Sequence, residues 1–303
     1  MSDPLLDRVI RSVPGWERSD FEVEPLEGGI TNRNYVVTMD GIRYVLRVPG
    51  ADTALLGIDR ANEYRAASVA ADAGVGPEVV AFLPDTGCFV TRFVEGVHIP
   101  MDDLRRDDVL GLVVRSLRAF HACPPIPASF PVFRIVEQYR EVAELRGVDA
   151  PPAYDEAHAL ADRIEAAFAM NPSPLTTCHD DLLNANLRRD GDHVWIVDYK
   201  YAGMGDPFFD LGNLAVNNDL DAPSQESLLR FAFGEVRDRH RARLALMRLM
   251  SDFREAMWGV VQQAISTLDE DFEAYAAKHF ARLLDGAAGL PLEDLLAAAA
   301  EPA

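Results

Sequence analysis

Apolar and polar residues alternate at two different spacings along this chain, and the change of spacing divides it. Up to about residue 95 the pattern is that of strands: short runs rich in β-branched and aromatic residues, separated by turn residues. Phe21–Pro25 reads as a strand entering a glycine turn. Asn34–Met39 and Ile42–Val48 read as two strands joined by Asp40-Gly41, a two-residue hairpin signal. Pro49-Gly50 breaks the pattern, and Ile58–Ala73 reads as a helix closed by Gly74. Glu78–Leu83 and Cys88–Phe93 read as two further strands around the turn Pro84-Asp85-Thr86-Gly87.

After Gly96 the spacing becomes helical. Asp107–His121 is amphipathic with an acidic first turn, which suits a helix start. A proline-rich loop over Pro124–Pro131 separates it from helices over Phe133–Arg146 and Tyr154–Met170. Leu175–Asp210 reads as short strands and loops, and Ser224 to the C-terminus as helical throughout. The expectation is an α+β fold of two lobes: residues 1–95 form a small antiparallel-sheet lobe with one helix, and residues 96–303 form a larger helical lobe.

Composition narrows the function classes. The 303 residues carry a formal net charge of −20, which repels nucleic acid and anionic membranes, tolerates a cationic small molecule, and also simply favours solubility. No apolar run reaches the roughly 18 to 20 residues needed to cross a bilayer, and Met1–Ile10 lacks the apolar core of a signal peptide. Cys88, Cys123 and Cys178 are scattered and odd in number, which fits a reducing cytoplasm better than a disulfide framework.

The densest polar segment is Cys178-His179-Asp180-Asp181-Leu182-Leu183-Asn184-Ala185-Asn186, an H-x-D-x-x-x-x-N pattern, followed by the apolar strand Val194–Val197 that delivers Asp198. Phosphoryl transfer to an alcohol needs a carboxylate beside the attacking hydroxyl, and Asp181 is the candidate. Magnesium needs hard oxygen ligands, and Asn186 and Asp198 supply them. His179 is an organiser of the loop. Upstream, Gly28, Gly29, Thr31 and Asn32 lie in a glycine turn suited to cradling phosphates. No lysine precedes Lys200, so Arg47 is the candidate cation for the α- and β-phosphates, with Glu63 as its partner. Arg92 and Val94 lie in the strand that runs into the lobe boundary, where backbone groups can meet an adenine edge. Asp206 and Asp210 precede a helical run, and Asp210 either accepts hydrogen bonds from the catalytic loop or caps that helix.

With these residues in place, the chain resembles the choline and ethanolamine kinases within the wider aminoglycoside-phosphotransferase group, from about Leu26 to Leu284. The resemblance rests on Gly28–Tyr35, Val45–Gly50, His179–Asn186, Val197–Pro207 and Ser251–Gln263. It implies a two-lobed protein-kinase-like fold, with nucleotide bound in residues 1–95 and catalysis and acceptor binding in residues 96–303, ATP and Mg2+ as cofactors and an amino alcohol as acceptor. Such an acceptor, when fully methylated, has no N–H to donate and is held by ring faces and acids; Trp258 and Tyr275 fall where pocket aromatics are expected, with Tyr201, Phe272 and Glu255 as further candidates. Each of these rings also suits an ordinary helical core. Two departures stand out. Many relatives carry glutamate where this chain has Lys200, and eukaryotic choline kinases place a tryptophan where it has Glu255. A lysine turned to the pocket favours a zwitterionic or anionic acceptor; one turned to solvent has no consequence. Alternative acceptors are thiamine, an aminoglycoside or a sugar, and the alternative of another class is a non-catalytic nucleotide-binding protein. A homodimer is left open.

Overall fold

The computed structural model describes residues 4–26, 32–50 and 53–302. Five strands form one antiparallel sheet in the order β1-β2-β3-β5-β4: β1 (Glu22–Leu26), β2 (Asn32–Met39), β3 (Ile42–Pro49), β4 (Val79–Leu83) and β5 (Cys88–Arg92). The β2–β3 hairpin turns at Asp40 and Gly41, with φ of 51° and 74°. Two consecutive positive φ values match the right-handed twist of the flanking strands, which is why an Asp-Gly pair stands there.

Successive residues of a strand face opposite sides, and both sides of this sheet are covered. Phe89 of β5 faces helix α2 (Arg60–Asp72) and its buried Ala66, Ala67 and Ala70. Asp59 caps α2, accepting from the amides of Ala61 and Asn62. Cys88 and Val90 face the other way, into a cluster with Val37, Leu46, Ile10, Val13 and Trp16. Ile10 belongs to helix α1 (Pro4–Arg11), a second helix in the part read as having one. Ile10 and Val13 are fully buried, and burial of each such side chain stabilises by about 1.5–3 kcal/mol.

The chain then crosses into a helical body: β6 (Val97–His98), α3 (Met101–Leu104), α4 (Asp107–His121), α5 (Val132–Leu145) and α6 (Ala153–Met170), then β7 (Thr176–Cys178), β8 (Leu187–Asp190), β9 (His193–Ile196) and β10 (Gly203–Gly205). Helices α7 (Pro207–Asn217), α8 (Ala222–Phe233), α9 (Asp238–Ile265), α10 (Phe272–Ala288) and α11 (Leu292–Ala299) complete it. The C-terminal stretch read as continuous helix is thus four helices, interrupted at Gly234, whose φ is 79°, and before Asp271 and Pro291. The 28-residue α9 is the axis against which α5, α7, α10 and α11 pack. Helix α7 crosses it so closely at Gly212 that a Cβ would lie 2.7 Å from the Met247 carbonyl carbon. Among the described residues no helix is long and apolar enough to cross a membrane, and the three cysteines are free.

Candidate active site

A cavity of about 500 Å³ lies between the sheet and the helical body. Its floor is the loop after β7, which the structure fastens to α7 at several points. The amides of His179 and Asp180 donate to the two carboxylate oxygens of Asp210 at 2.9 and 2.7 Å. The Leu182 amide donates to Asn213 Oδ1 at 2.5 Å, and Asn218 Nδ2 donates to the Leu182 carbonyl at 2.9 Å. Asp206 is the residue that caps α7, and Asp210 lies a turn inside the helix rather than ahead of it. One acidic residue in the first turn suits the helix N-terminus and also points two acceptor oxygens at a loop that needs them.

His179 is fully buried, and both of its ring nitrogens are engaged. Nε2 donates to the Val197 carbonyl at 3.0 Å and Nδ1 accepts the Asp181 amide at 3.3 Å. Burial pushes the imidazole below its usual range, consistent with a neutral ring held in one tautomer. The side chain therefore ties the loop to the turn after β9 and does not face the cavity.

Asp181 and Asp198 line the cavity from two different turns, and Lys200 joins them. Lys200 Nζ lies 2.5 Å from Asp181 Oδ2 and 2.9 Å from Asp198 Oδ2. Of the two orientations considered from sequence it takes the one toward the pocket, lining the cavity with its charge on the two carboxylates. Burial alone lowers a lysine, but Asp181 and Asp198 outweigh it and hold Lys200 above its ordinary value. Burial alone raises a carboxyl, but Arg47 and then Lys200 hold Asp198 well below the usual carboxylate range. Asp181 Oδ1 is 3.6 Å from Arg254 Nη1, beyond hydrogen-bond reach, and remains the oxygen available to a hydroxyl. Asn186 donates Nδ2 to the Asp181 carbonyl at 2.8 Å, which leaves its Oδ1 as an acceptor at the cavity wall. A carboxylate and an amide oxygen are the donor chemistry a hard divalent ion requires, so Asn186 and Asp198 fit one.

The roof carries cations. Arg47 of β3 contacts Glu63 of α2 and, at 2.7 Å, Asp198 Oδ1. Glu63 is itself shared. Arg60 Nη1 reaches its second oxygen at 2.6 Å, while Arg60 Nη2 donates to Asn32 Oδ1 at 2.8 Å and to Thr53 Oγ1 at 3.0 Å. Arg60 was not among the residues singled out from sequence, although it stands three residues before Glu63 on one helix face, a spacing at which opposite charges meet. Gly28, Gly29 and Thr31 lie outside the described residues. Arg92 borders the cavity but engages Glu78 and the Tyr44 hydroxyl, and Val94 lines the same edge.

At the far end, α9 and α10 supply the aromatic and acidic residues. Trp258 Nε1 donates to the Tyr201 hydroxyl at 2.9 Å, and the Tyr275 hydroxyl donates to Glu255 Oε2 at 2.8 Å. Tyr275 meets Trp258 edge-on at 5.6 Å between centroids. Phe272 does not reach the cavity; it is buried behind Trp258, 5.9 Å away. Arg254, a second residue not singled out from sequence, is buried with its guanidinium over the Tyr201 ring at 4.3 Å and on Glu255 Oε1 at 2.5 Å. A charged residue on the apolar face of a buried helix is the signal that could have marked it.

The chain matches the family model described as the phosphotransferase enzyme family over residues 22–246. It is 33% identical to a choline/ethanolamine kinase family protein of Mesorhizobium loti, with a TM-score of 0.84 and coverage of 98% of this chain and 99% of that one. It is 26% identical over 264 residues to protein LicA of Haemophilus influenzae, covering 83% of this chain and 76% of the relative. To ethanolamine kinase 2 of Rattus norvegicus it is 27% identical over an alignment of 307 residues, covering 90% and 78%.

Proposed function

Since the chain belongs to the phosphotransferase enzyme family and to the choline/ethanolamine kinases, we propose that it transfers the γ-phosphoryl group of ATP to the hydroxyl of choline or a related amino alcohol. The observation that carries the reading is one cavity with two chemically distinct ends. Asp181, Asn186 and Asp198 lie beneath Arg47 at one end, and Trp258, Tyr275 and Glu255 stand at the other. An acceptor bound with its ammonium against the rings and Glu255 directs its hydroxyl toward Asp181 Oδ1. The hydroxyl oxygen attacks the γ-phosphorus, the bond from that phosphorus to the β,γ-bridging oxygen breaks, ADP leaves, and the hydroxyl proton passes to Asp181.

Arg47, held by Glu63, binds the α- and β-phosphates through its planar fork, which stays charged at any working pH. Asn32, together with Gly28, Gly29 and Thr31, contributes to phosphate binding, and the backbone near Arg92 and Val94 meets the adenine. Asn186 and Asp198 hold Mg2+, which when bound neutralises charge on the phosphate oxygens. The lobe boundary at Glu95–Gly96 then separates nucleotide binding in residues 1–95 from acceptor binding in 96–303.

Purified protein with Mg-ATP should release ADP fastest with choline or a less methylated ethanolamine in a panel that also holds thiamine, an aminoglycoside and a sugar. Asp181→Asn should lower that rate by about a thousandfold, the scale of a lost general base. Turnover that survives the substitution unchanged, or that is confined to a sugar or an aminoglycoside, would overturn the reading.

A further inference from the structure

Kinase-type phosphoryl transfer commonly recruits two divalent ions, held by the metal aspartate and the catalytic-loop asparagine. Deepening the reading above, and resting on it, we propose that Lys200 is a resident cation that takes the place of the second ion, so that this protein binds a single divalent ion with its nucleotide.

The geometry that leads there is the position of one ammonium. Lys200 Nζ bridges Asp181 Oδ2 and Asp198 Oδ2 at 2.5 and 2.9 Å, and so takes one oxygen of the aspartate on which both ions would depend. The bridge is built by the backbone. Asp198 has φ of 70°, a left-handed conformation that turns the chain sharply, and the lysine two residues on lies beside its carboxylate. The side chain is only 9% exposed, so a strongly hydrated group has been taken out of water. That is tolerable only where its charge is matched, and here two carboxylates match it. In a chain of net charge −20 whose only lysines are Lys200 and Lys278, one of the two is at this spot.

Few acceptors remain for ions, because Lys200 already holds Asp198 Oδ2 and Asp181 Oδ2. Asp198 Oδ1 is on Arg47, Asp181 Oδ1 faces the acceptor end, and Asn186 presents a single free amide oxygen. A second divalent ion on Asp198 would have to displace the ammonium from a charge-assisted hydrogen bond and would meet its charge at close range in a poorly screened site. An ammonium also differs from a metal in kinetics: it is covalently part of the chain and does not leave with product. Lys200 Nζ also lies 5.0 Å from the centre of the Tyr201 ring, so its mismatch with a cationic acceptor is eased by the two carboxylates that match its charge and not by distance from the rings.

The test counts ions independently of any acceptor. Mn2+ is titrated by electron paramagnetic resonance into the protein saturated with adenylyl imidodiphosphate. Wild type should bind one Mn2+ per chain. Lys200→Glu, which adds an oxygen ligand, and Lys200→Met, which removes the ammonium at similar volume, should each bind two. Should the glutamate variant fail to fold, the methionine variant and the wild-type count still decide. Two ions in wild type, or one in wild type and in both folded variants, would overturn the assignment of Lys200 and leave phosphoryl transfer standing. No nucleotide-dependent Mn2+ in any of the proteins would overturn the ATP reading and this inference with it.

Discussion

His121 Nε2 lies 2.8 Å from Asp210 Oδ2, the same oxygen that accepts the His179 amide. Asp210 is fully buried, and burial alone would raise its carboxyl, but His121, followed by the loop groups, holds it below its usual range. The charge is thus used to shape a loop. Asp210→Ala leaves the His179 and Asp180 amides without acceptors inside the protein, and each orphaned buried donor costs about 1–3 kcal/mol. The expected outcome is a loss of about 3 kcal/mol in urea denaturation and a kcat lowered by about a hundredfold or more. A variant of wild-type stability and kcat would show that the loop holds its shape without α7.

Arg60 is expected to act on nucleotide alone. It joins Glu63, Asn32 and Thr53 in one fork, so it connects α2 to the start of β2. Lysine cannot make three such bonds from one ammonium in the same directions. Arg60→Lys should raise the KM for ATP by about tenfold, equivalent to ~1.4 kcal/mol, and leave the acceptor KM within twofold. A rise in the acceptor KM of the same size would mean that Arg60 acts through the general packing of the lobes.

The elements most legible in the sequence were those with a local cause. Asp40-Gly41 specifies its own turn, and Asp107–His121 carries both its charge asymmetry and its apolar face, and the helix spans those residues. Helix α1 was missed because eight residues give too short a period to read, although Ile10, Val13 and Trp16 close one face of the sheet. In the cavity, H-x-D-x-x-x-x-N and the strand before Asp198 located the floor by spacing alone. Side-chain direction was not legible. Nothing local distinguishes Phe272, which is buried behind Trp258, from Tyr275, which reaches the cavity, because the difference is set by how α10 packs on α9. The orientation of Lys200 likewise depends on Asp181, nineteen residues away in the chain.

Asp180 supplies a pH prediction. Burial first, and then the neighbouring Asp210, lift its carboxyl well above the usual value of 3.8. An acid whose folded pKa exceeds its unfolded pKa retains its proton preferentially in the folded state. Its contribution is full below 3.8 and is lost as pH rises through the folded value. Asparagine cannot ionise and tolerates the left-handed φ of 64° found there. Asp180→Asn should therefore gain stability relative to wild type as pH is raised from 4 to 8, read as a widening difference in urea midpoint. A constant difference across that range would show that Asp180 carries no linked proton.

Trp258 and Phe272 separate recognition from packing. Both are buried in the same cluster, but Trp258 lines the cavity and Phe272 lies behind it. A desolvated cation over a tryptophan face is worth about 2 kcal/mol, or roughly a thirtyfold change in binding. Trp258→Leu keeps an apolar side chain and removes the ring, so the KM for choline should rise about thirtyfold while the KM for ATP stays within twofold. Phe272→Leu should cost about 1–2 kcal/mol in stability, the scale of a modest loss of buried apolar volume, and leave the choline KM near wild type. The Trp258 effect should shrink for ethanolamine, whose primary ammonium can donate hydrogen bonds to Glu255 instead. Equal effects of the two substitutions on the choline KM would mean that the rings act as core and that the ammonium is bound elsewhere in the cavity.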